Sequence, residues 1–130
     1  MEIVVDTSVI IAVIVNESRK GQLVEMTRGA SLHAPSSLHW EMGNAFSAMF
    51  KRNRIDLSQA LKALTSYKTI PVRFHDVDLK SSLELSDTHG LYAYDAYFLT
   101  CAMKVNSPLL TLDASLADAA DRAGIAVLEV

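Results

Sequence analysis

Four acidic residues stand out in this 130-residue chain: Asp6, Glu41, Asp95 and Asp113. Each is set in apolar sequence, as Val5-Asp6, Trp40-Glu41-Met42, Tyr94-Asp95-Ala96 and Leu112-Asp113-Ala114. That setting predicts partial burial. A buried carboxylate is costly unless it is paired, protonated or bound to a metal. No lysine or arginine lies within two residues of any of the four, so local ion pairing does not answer their charge. Singly, each acid has a simpler use. Asp6 and Asp113 suit helix N-caps, and Glu41 and Asp95 suit the positive end of a helix dipole. Jointly, four oxygen donors without a cation nearby point to a hard divalent metal ion.

The elements that must carry these acids follow from periodicity. Ile3-Val4-Val5 reads as a buried strand, and Asp6-Thr7-Ser8 offers capping oxygens for a helix through Val9 to Val15. A second helix is predicted from about Ser18 to Arg28, stopping at Gly29. A short strand follows at Ser31 to Ala34, and Pro35-Ser36-Ser37 opens a helix to about Arg52 with Met42, Phe46, Met49 and Phe50 at helical spacing. Leu57 to Tyr67 reads as a helix, Ile70 to Phe74 as a strand, and Val77 to Leu85 and Tyr94 to Lys104 as helices. Pro108 to Leu112 is a strand, Ser115 to Arg122 a helix and Ala126 to Leu128 a last strand. Alternation of this kind predicts a mostly parallel four- or five-stranded sheet with helices on both faces. Ligands then bind beyond the carboxyl ends of the strands, where the acids stand.

In this order the pieces resemble the PIN-domain ribonucleases, and most closely the VapC-type toxins of prokaryotic toxin–antitoxin pairs. The resemblance spans the whole chain as one domain. It rests on Val4-Val5-Asp6-Thr7-Ser8-Val9, Glu41, Leu91-Tyr92-Ala93-Tyr94-Asp95-Ala96-Tyr97 and Leu110-Thr111-Leu112-Asp113. It implies a PIN-like α/β/α sandwich. It assigns the family's acidic quartet to Asp6, Glu41, Asp95 and Asp113 as catalytic and metal-binding groups, with supporting hydroxyls from Thr7 or Ser8 and from Thr111. It further implies Mg²⁺ or Mn²⁺, an RNA substrate, a VapB-like antitoxin and a homodimer. Phosphodiester hydrolysis gathers negative charge, which one or two such ions stabilise while acidifying a bound water. Two other readings compete: a non-catalytic RNA-binding PIN scaffold, which loss of an acid would mark, and a receiver-type phosphoacceptor domain. The second wants adjacent acids after the first strand and a late lysine, where this chain has Thr7-Ser8 and Asp113.

The rest of the sequence narrows the class. Half the residues are hydrophobic and a fifth charged, with a formal charge of −3. That excludes disorder and a strongly basic DNA-coating protein. Cys101 is the one cysteine, so neither an internal disulfide nor a cysteine-rich zinc site is expected. It sits among Leu99, Ala102 and Met103 and reads as a buried, inert thiol. The longest apolar run, Val9 to Val15, is far short of the ~18 residues that cross a bilayer, and the acidic start is unlike a secretory signal. A cytoplasmic location is expected. His33, His39, His75 and His89 are scattered and read as surface or satisfied core residues, His39 and His89 being the two nearest the expected cleft. Lys51, Arg52 and Arg54 form the densest basic cluster, suited either to a helix C-terminus or to RNA or partner contact. Tyr92, Tyr94 and Tyr97 offer rings for base stacking, or for a core or dimer interface.

Overall fold

Ile3, Val4 and Val5 are fully buried, and the chain is arranged around them. In the computed structural model, which describes residues 1–130, they form β1 (Glu2–Val5). The chain continues through α1 (Thr7–Ile14), α2 (Lys20–Thr27), β2 (Ser31–Pro35), α3 (Leu38–Lys51) and α4 (Leu57–Thr69). Then come β3 (Val72–His75), α5 (Leu79–His89), α6 (Ala93–Val105), β4 (Leu109–Leu110), α7 (Ala114–Arg122) and β5 (Val127–Leu128). All five strands are parallel, in the order β3-β2-β1-β4-β5. The expected α/β sandwich is therefore present, and its sheet is parallel throughout. No helix is long and apolar enough to cross a membrane.

The order decides where a ligand can sit. From β1 the chain steps outward to β2 and β3, then returns across β1 to β4 and β5. With right-handed crossovers, this reversal puts α1 to α4 on one face and α5 to α7 on the other. It also opens a crevice beyond the carboxyl ends of β1 and β4, the point where strand order reverses. Asp6 ends β1, and Thr111 and Asp113 follow β4. Glu41 comes from the first turn of α3 and Asp95 from the first turn of α6, in opposite layers.

Local sequence sets these positions. Asp56 and Gln59 close a capping box at the start of α4. Gly90 ends α5 in the left-handed region at φ 65, which lets the chain turn within three residues into α6. That turn delivers Asp95 to the crevice. Helix α5 runs on to His89, past the expected end at Leu85, because this glycine stops it. Helix α3 starts at Leu38, since Pro35 still pairs with His75 in the sheet.

Helix α6 is anchored by Phe98, Leu99, Cys101 and Ala102, all buried. Truncation at Phe98 leaves a cavity under the helix that carries Asp95. Phe98→Ala is expected to lower the unfolding free energy by about 3–5 kcal/mol, read from the denaturation midpoint at unchanged slope.

Candidate active site

Asp6 is 4 % exposed and has no cation beside it. Its Oδ1 accepts from the Val9 backbone N–H at 3.2 Å and from Ser8 Oγ at 2.6 Å. Its Oδ2 accepts from Thr111 Oγ1 at 2.5 Å. Both hydroxyls are held in turn: the Leu112 N–H donates to Ser8 Oγ at 2.9 Å, and the Asp113 N–H to Thr111 Oγ1 at 3.0 Å. A hydroxyl that accepts one bond and donates another is fixed in orientation. The turn after β4 therefore clasps the carboxylate at the end of β1. The resemblance offers Thr7 and Ser8 as alternatives, and both are used. Thr7 Oγ1 donates to Glu41 Oε2 at 3.2 Å, tying α1 to α3.

Asp113 caps α7, accepting from the Ser115 and Leu116 N–H groups at 2.9 and 3.3 Å. Unlike the other three it is exposed, which corrects the expectation of partial burial. Its carboxylate turns to the helix start, which faces solvent. Asp6 and Asp113 thus do cap helices as well as standing at the crevice. All four acids lie at helix N-termini, whose partial positive charge offsets some of theirs.

No lysine or arginine completes the compensation. The ion pairs in the chain are Arg28–Glu25 and His33–Glu2, both elsewhere. Burial raises the pKa of Asp6, although its hydroxyl and backbone donors oppose the rise and Asp113 adds to it. Burial pushes Glu41 up to about 7, Thr7 opposing and the charges of Asp95 and Asp6 assisting. Asp95 is raised by burial and by Asp113. The four are close enough to feel one another. No three of them, however, stand together as a ready-made metal cage. Asp6 is drawn to Ser8 and Thr111, Glu41 to Thr7 and Asp113 to α7, the outcome expected when like charges separate onto hydrogen-bond donors. The donor set is oxygen only, carboxylate-rich and without a protein cation. That chemistry fits Mg²⁺ or Mn²⁺, and Mg²⁺ uses one or two carboxylates and keeps several waters.

The basic cluster, the histidines and the cysteine fall differently. Lys51, Arg52 and Arg54 lie at the far end of α3, ten or more residues from Glu41, about 15 Å along the axis. They are exposed and are not part of the acidic cleft. His39 turns away from the cleft, its Nδ1 2.8 Å from Tyr67 Oη and its ring 4.3 Å from that of Phe74. His33 is buried and bonded on both ring nitrogens, to His75 at 2.8 Å and Glu2 at 2.9 Å. Cys101 is buried, and that burial pushes its thiol up to about 12, so it is inert.

The model of the PIN domain family matches residues 3–122. The chain belongs to the PIN-domain family. Among curated relatives, Ribonuclease VapC3 of Pyrobaculum aerophilum is 30% identical over 123 residues, covering 91% of this chain and 94% of the relative. The crystal structure of VapBC2 from Rickettsia felis, bound to a DNA fragment from their promoter, is 15% identical. It superposes with a TM-score of 0.67 over 99% of this chain and 98% of that one. VapC20 of Mycobacterium tuberculosis, a sarcin-ricin loop cleaving toxin, gives a TM-score of 0.65 at 15% identity, covering 98% and 99% of the two chains. At such identities the structures establish the fold. The PIN strand order seen here, 3-2-1-4-5, also differs from the 2-1-3-4-5 order of receiver-type domains, which removes that alternative.

The electrostatics have a measurable sign. A carboxylate whose folded pKa lies above its unfolded value stabilises the fold below the unfolded pKa, and that stability is lost as pH rises through the folded one. For Glu41 the window runs from 4.5 to about 7. In EDTA the wild-type melting temperature is expected to fall across this window. Glu41→Gln should flatten the fall and melt above wild type at pH 8, as followed by circular dichroism.

Proposed function

We propose that this protein is a metal-dependent endoribonuclease acting as the toxin of a type II toxin–antitoxin pair. The observation that carries the reading is the uncompensated set Asp6, Glu41, Asp95 and Asp113 at the strand-order switch point of a PIN fold. Curated relatives of matching length are named VapC ribonucleases. All four acids of the family's quartet are present, which favours an enzyme over a non-catalytic scaffold.

Asp6, Glu41, Asp95 and Asp113 would hold one or two Mg²⁺ or Mn²⁺ ions. The bound metal would stabilise charge on the attacked phosphate and supply an acidified water. The chain's own groups do the positioning. Ser8 and Thr111 fix both oxygens of Asp6, so its carboxylate needs little rearrangement when the cleft is filled. Thr7 fixes Oε2 of Glu41. Asp95 approaches from the opposite layer and closes the second wall. The pKa of Glu41, raised to about 7, favours proton exchange close to neutral pH, and burial raises Asp6 and Asp95 beside it.

The partner in this reading is a VapB-like antitoxin, as the VapBC2 complex supports, with a homodimer of this chain in the cytoplasm. Leu79 and Leu83, one turn apart on α5 and both exposed, support an interface between copies. Lys51, Arg52 and Arg54 serve as phosphate contacts beyond the cleft.

Asp6→Asn, Glu41→Gln and Asp95→Asn keep shape while removing a ligand charge. Each is expected to cut Mg²⁺- or Mn²⁺-dependent RNA cleavage at least a hundredfold with the circular dichroism spectrum unchanged. EDTA should abolish the wild-type activity. Mg²⁺ should raise the melting temperature of wild type and not of Asp95→Asn, because a ligand that binds only the folded state stabilises it. Full activity in folded Asp6→Asn would overturn the reading.

Salt dependence checks the basic cluster. Each phosphate contact on a single strand contributes about 0.7 to the slope of log K against log salt. Replacing Lys51, Arg52 and Arg54 together by alanine should reduce that slope by about 2. An unchanged slope would remove them from the RNA path.

A further inference from the structure

Away from the acidic crevice, a line of linked titratable groups crosses three neighbouring strands. It runs from Glu2 on β1 through His33 on β2 to His75 at the end of β3. Val4 stands opposite His33, and His33 opposite Arg73. Glu2 and His75 lie two positions from these, so all share one face of the sheet. Val5 and Leu32, on the other face, pack toward α1 and α2, which leaves this face to α6. His33 is 5 % exposed. Its Nε2 lies 2.9 Å from Glu2 Oε1 and its Nδ1 2.8 Å from His75 Nε2.

Two ring nitrogens that face each other at this distance hold a single hydrogen between them. With both rings neutral, His33 donates to Glu2 and accepts from His75. With one proton added, the hydrogen is still shared and the Glu2 carboxylate offsets the charge. A second proton sets N–H against N–H, and the bond is lost. The gap is too short for a metal, since Zn–N bonds of about 2.0 Å hold two ligand nitrogens about 3.3 Å apart at a tetrahedral angle. The surroundings oppose the second proton. Burial, His33, Lys104 on α6 and Arg73 on β3 together hold the His75 pKa below its ordinary 6.5. On β1, Glu2 has the Met1 amine beside it. Asp76 accepts from Ser36 Oγ at 3.4 Å. Helix α5 turns Ser82 inward to Thr100 of α6 and leaves Lys80, Glu84 and Asp87 exposed.

Strand β3 is an edge strand with a neighbour on one side only, so side chains matter to how its end is held. The ties there are the histidine pair and the bond from Lys104 Nζ to the Asp76 carbonyl at 2.6 Å. We propose that the His33–His75 pair is an acid-released latch on this edge. While the rings share one hydrogen, they hold the end of β3 and the segment 76–78 that leads into α5. Uptake of a second proton frees both. The latch uses none of the four acids and does not depend on the ribonuclease reading. Its sign is also opposite to theirs. The open form binds more protons than the latched form, so the latch weakens as pH falls below 6.5, whereas Glu41 weakens the fold as pH rises toward 7.

Amide hydrogen exchange reads the opening, resolved by mass spectrometry to residues 72–78 and corrected for the intrinsic pH dependence of exchange. In wild type, protection of this segment is expected to fall about tenfold per pH unit below pH 6.5, the slope for one proton. His75→Gln sets an amide N–H where the ring N–H stood and cannot take a charge, so its protection should stay level. In Glu2→Gln the latched pair loses the anion that offsets its first proton. Opening then takes up two protons, and the slope should approach a hundredfold per unit, or about twice the wild-type exponent. An equal fall in His75→Gln and wild type would overturn the proposal. So would wild-type protection that stays level from pH 8 to 5. If His75→Gln does not fold, Glu2→Gln and the imidazole ¹⁵N spectra of wild type decide. The latch requires the two rings to take up their first proton as a pair. Rings that charge independently while the segment stays protected would rule it out.

Discussion

A carboxylate removed from water without a cation is the constraint around which this molecule is organised. Asp6 lies at the end of the central strand, and its burial is offset by three donors: two hydroxyls and one backbone N–H. One hydroxyl belongs to the turn after β4, more than a hundred residues away in the chain. The requirement to satisfy Asp6 therefore fixes the register between β1 and the turn after β4. That turn also places Asp113 at the start of α7. A single buried charge thus links the topology to the site.

The second layer of organisation is dipolar. Parallel strands send every following helix away from the same edge, so helix N-termini collect there. In many α/β folds those N–H groups receive a phosphate through a glycine-rich turn. The first turn here has Asp6-Thr7-Ser8 instead, and the side chain of Asp6 occupies the N–H of Val9. The edge is converted from a place that attracts anions directly into one that attracts cations. In the proposed function, phosphate reaches it through a metal.

Much of this is legible from residue types. Strands and helices alternate as the apolar periodicity predicts, because the central strands β1 and β4 are buried on both faces, while the edge strand β3 leaves Arg73 and Phe74 exposed. The four acids are legible because they interrupt apolar sequence without a neighbouring base. What escapes is what depends on three-dimensional register. His33 and His75 meet across adjacent strands, 42 positions apart, and nothing in their spacing announces it. The distance between the basic cluster and the acids, by contrast, is legible, since the helix expected to run to about Arg52 already sets Lys51 ten residues beyond Glu41. Exposure of Asp113 follows from its cap geometry, since its apolar neighbours Leu112 and Ala114 suggest the opposite. The exposure of Trp40 escapes as well, because tryptophan in an apolar segment reads as core.

The double duty of Asp6 and Asp113 as helix caps and crevice acids bears on how such a chain drifts under selection. Asparagine caps a helix about as well as aspartate, and its amide oxygen can still accept from the Val9 N–H at position 6 or the Ser115 N–H at position 113. A change from aspartate to asparagine at either position needs only one nucleotide, and helices α1 and α7 keep their caps. On the proposed function, a cell harmed by this protein would have a short mutational route to a copy that stays folded but no longer cleaves RNA. Alanine at the same positions would lose the cap as well as the charge. Silenced descendants of this chain should therefore carry asparagine at these two sites more often than alanine.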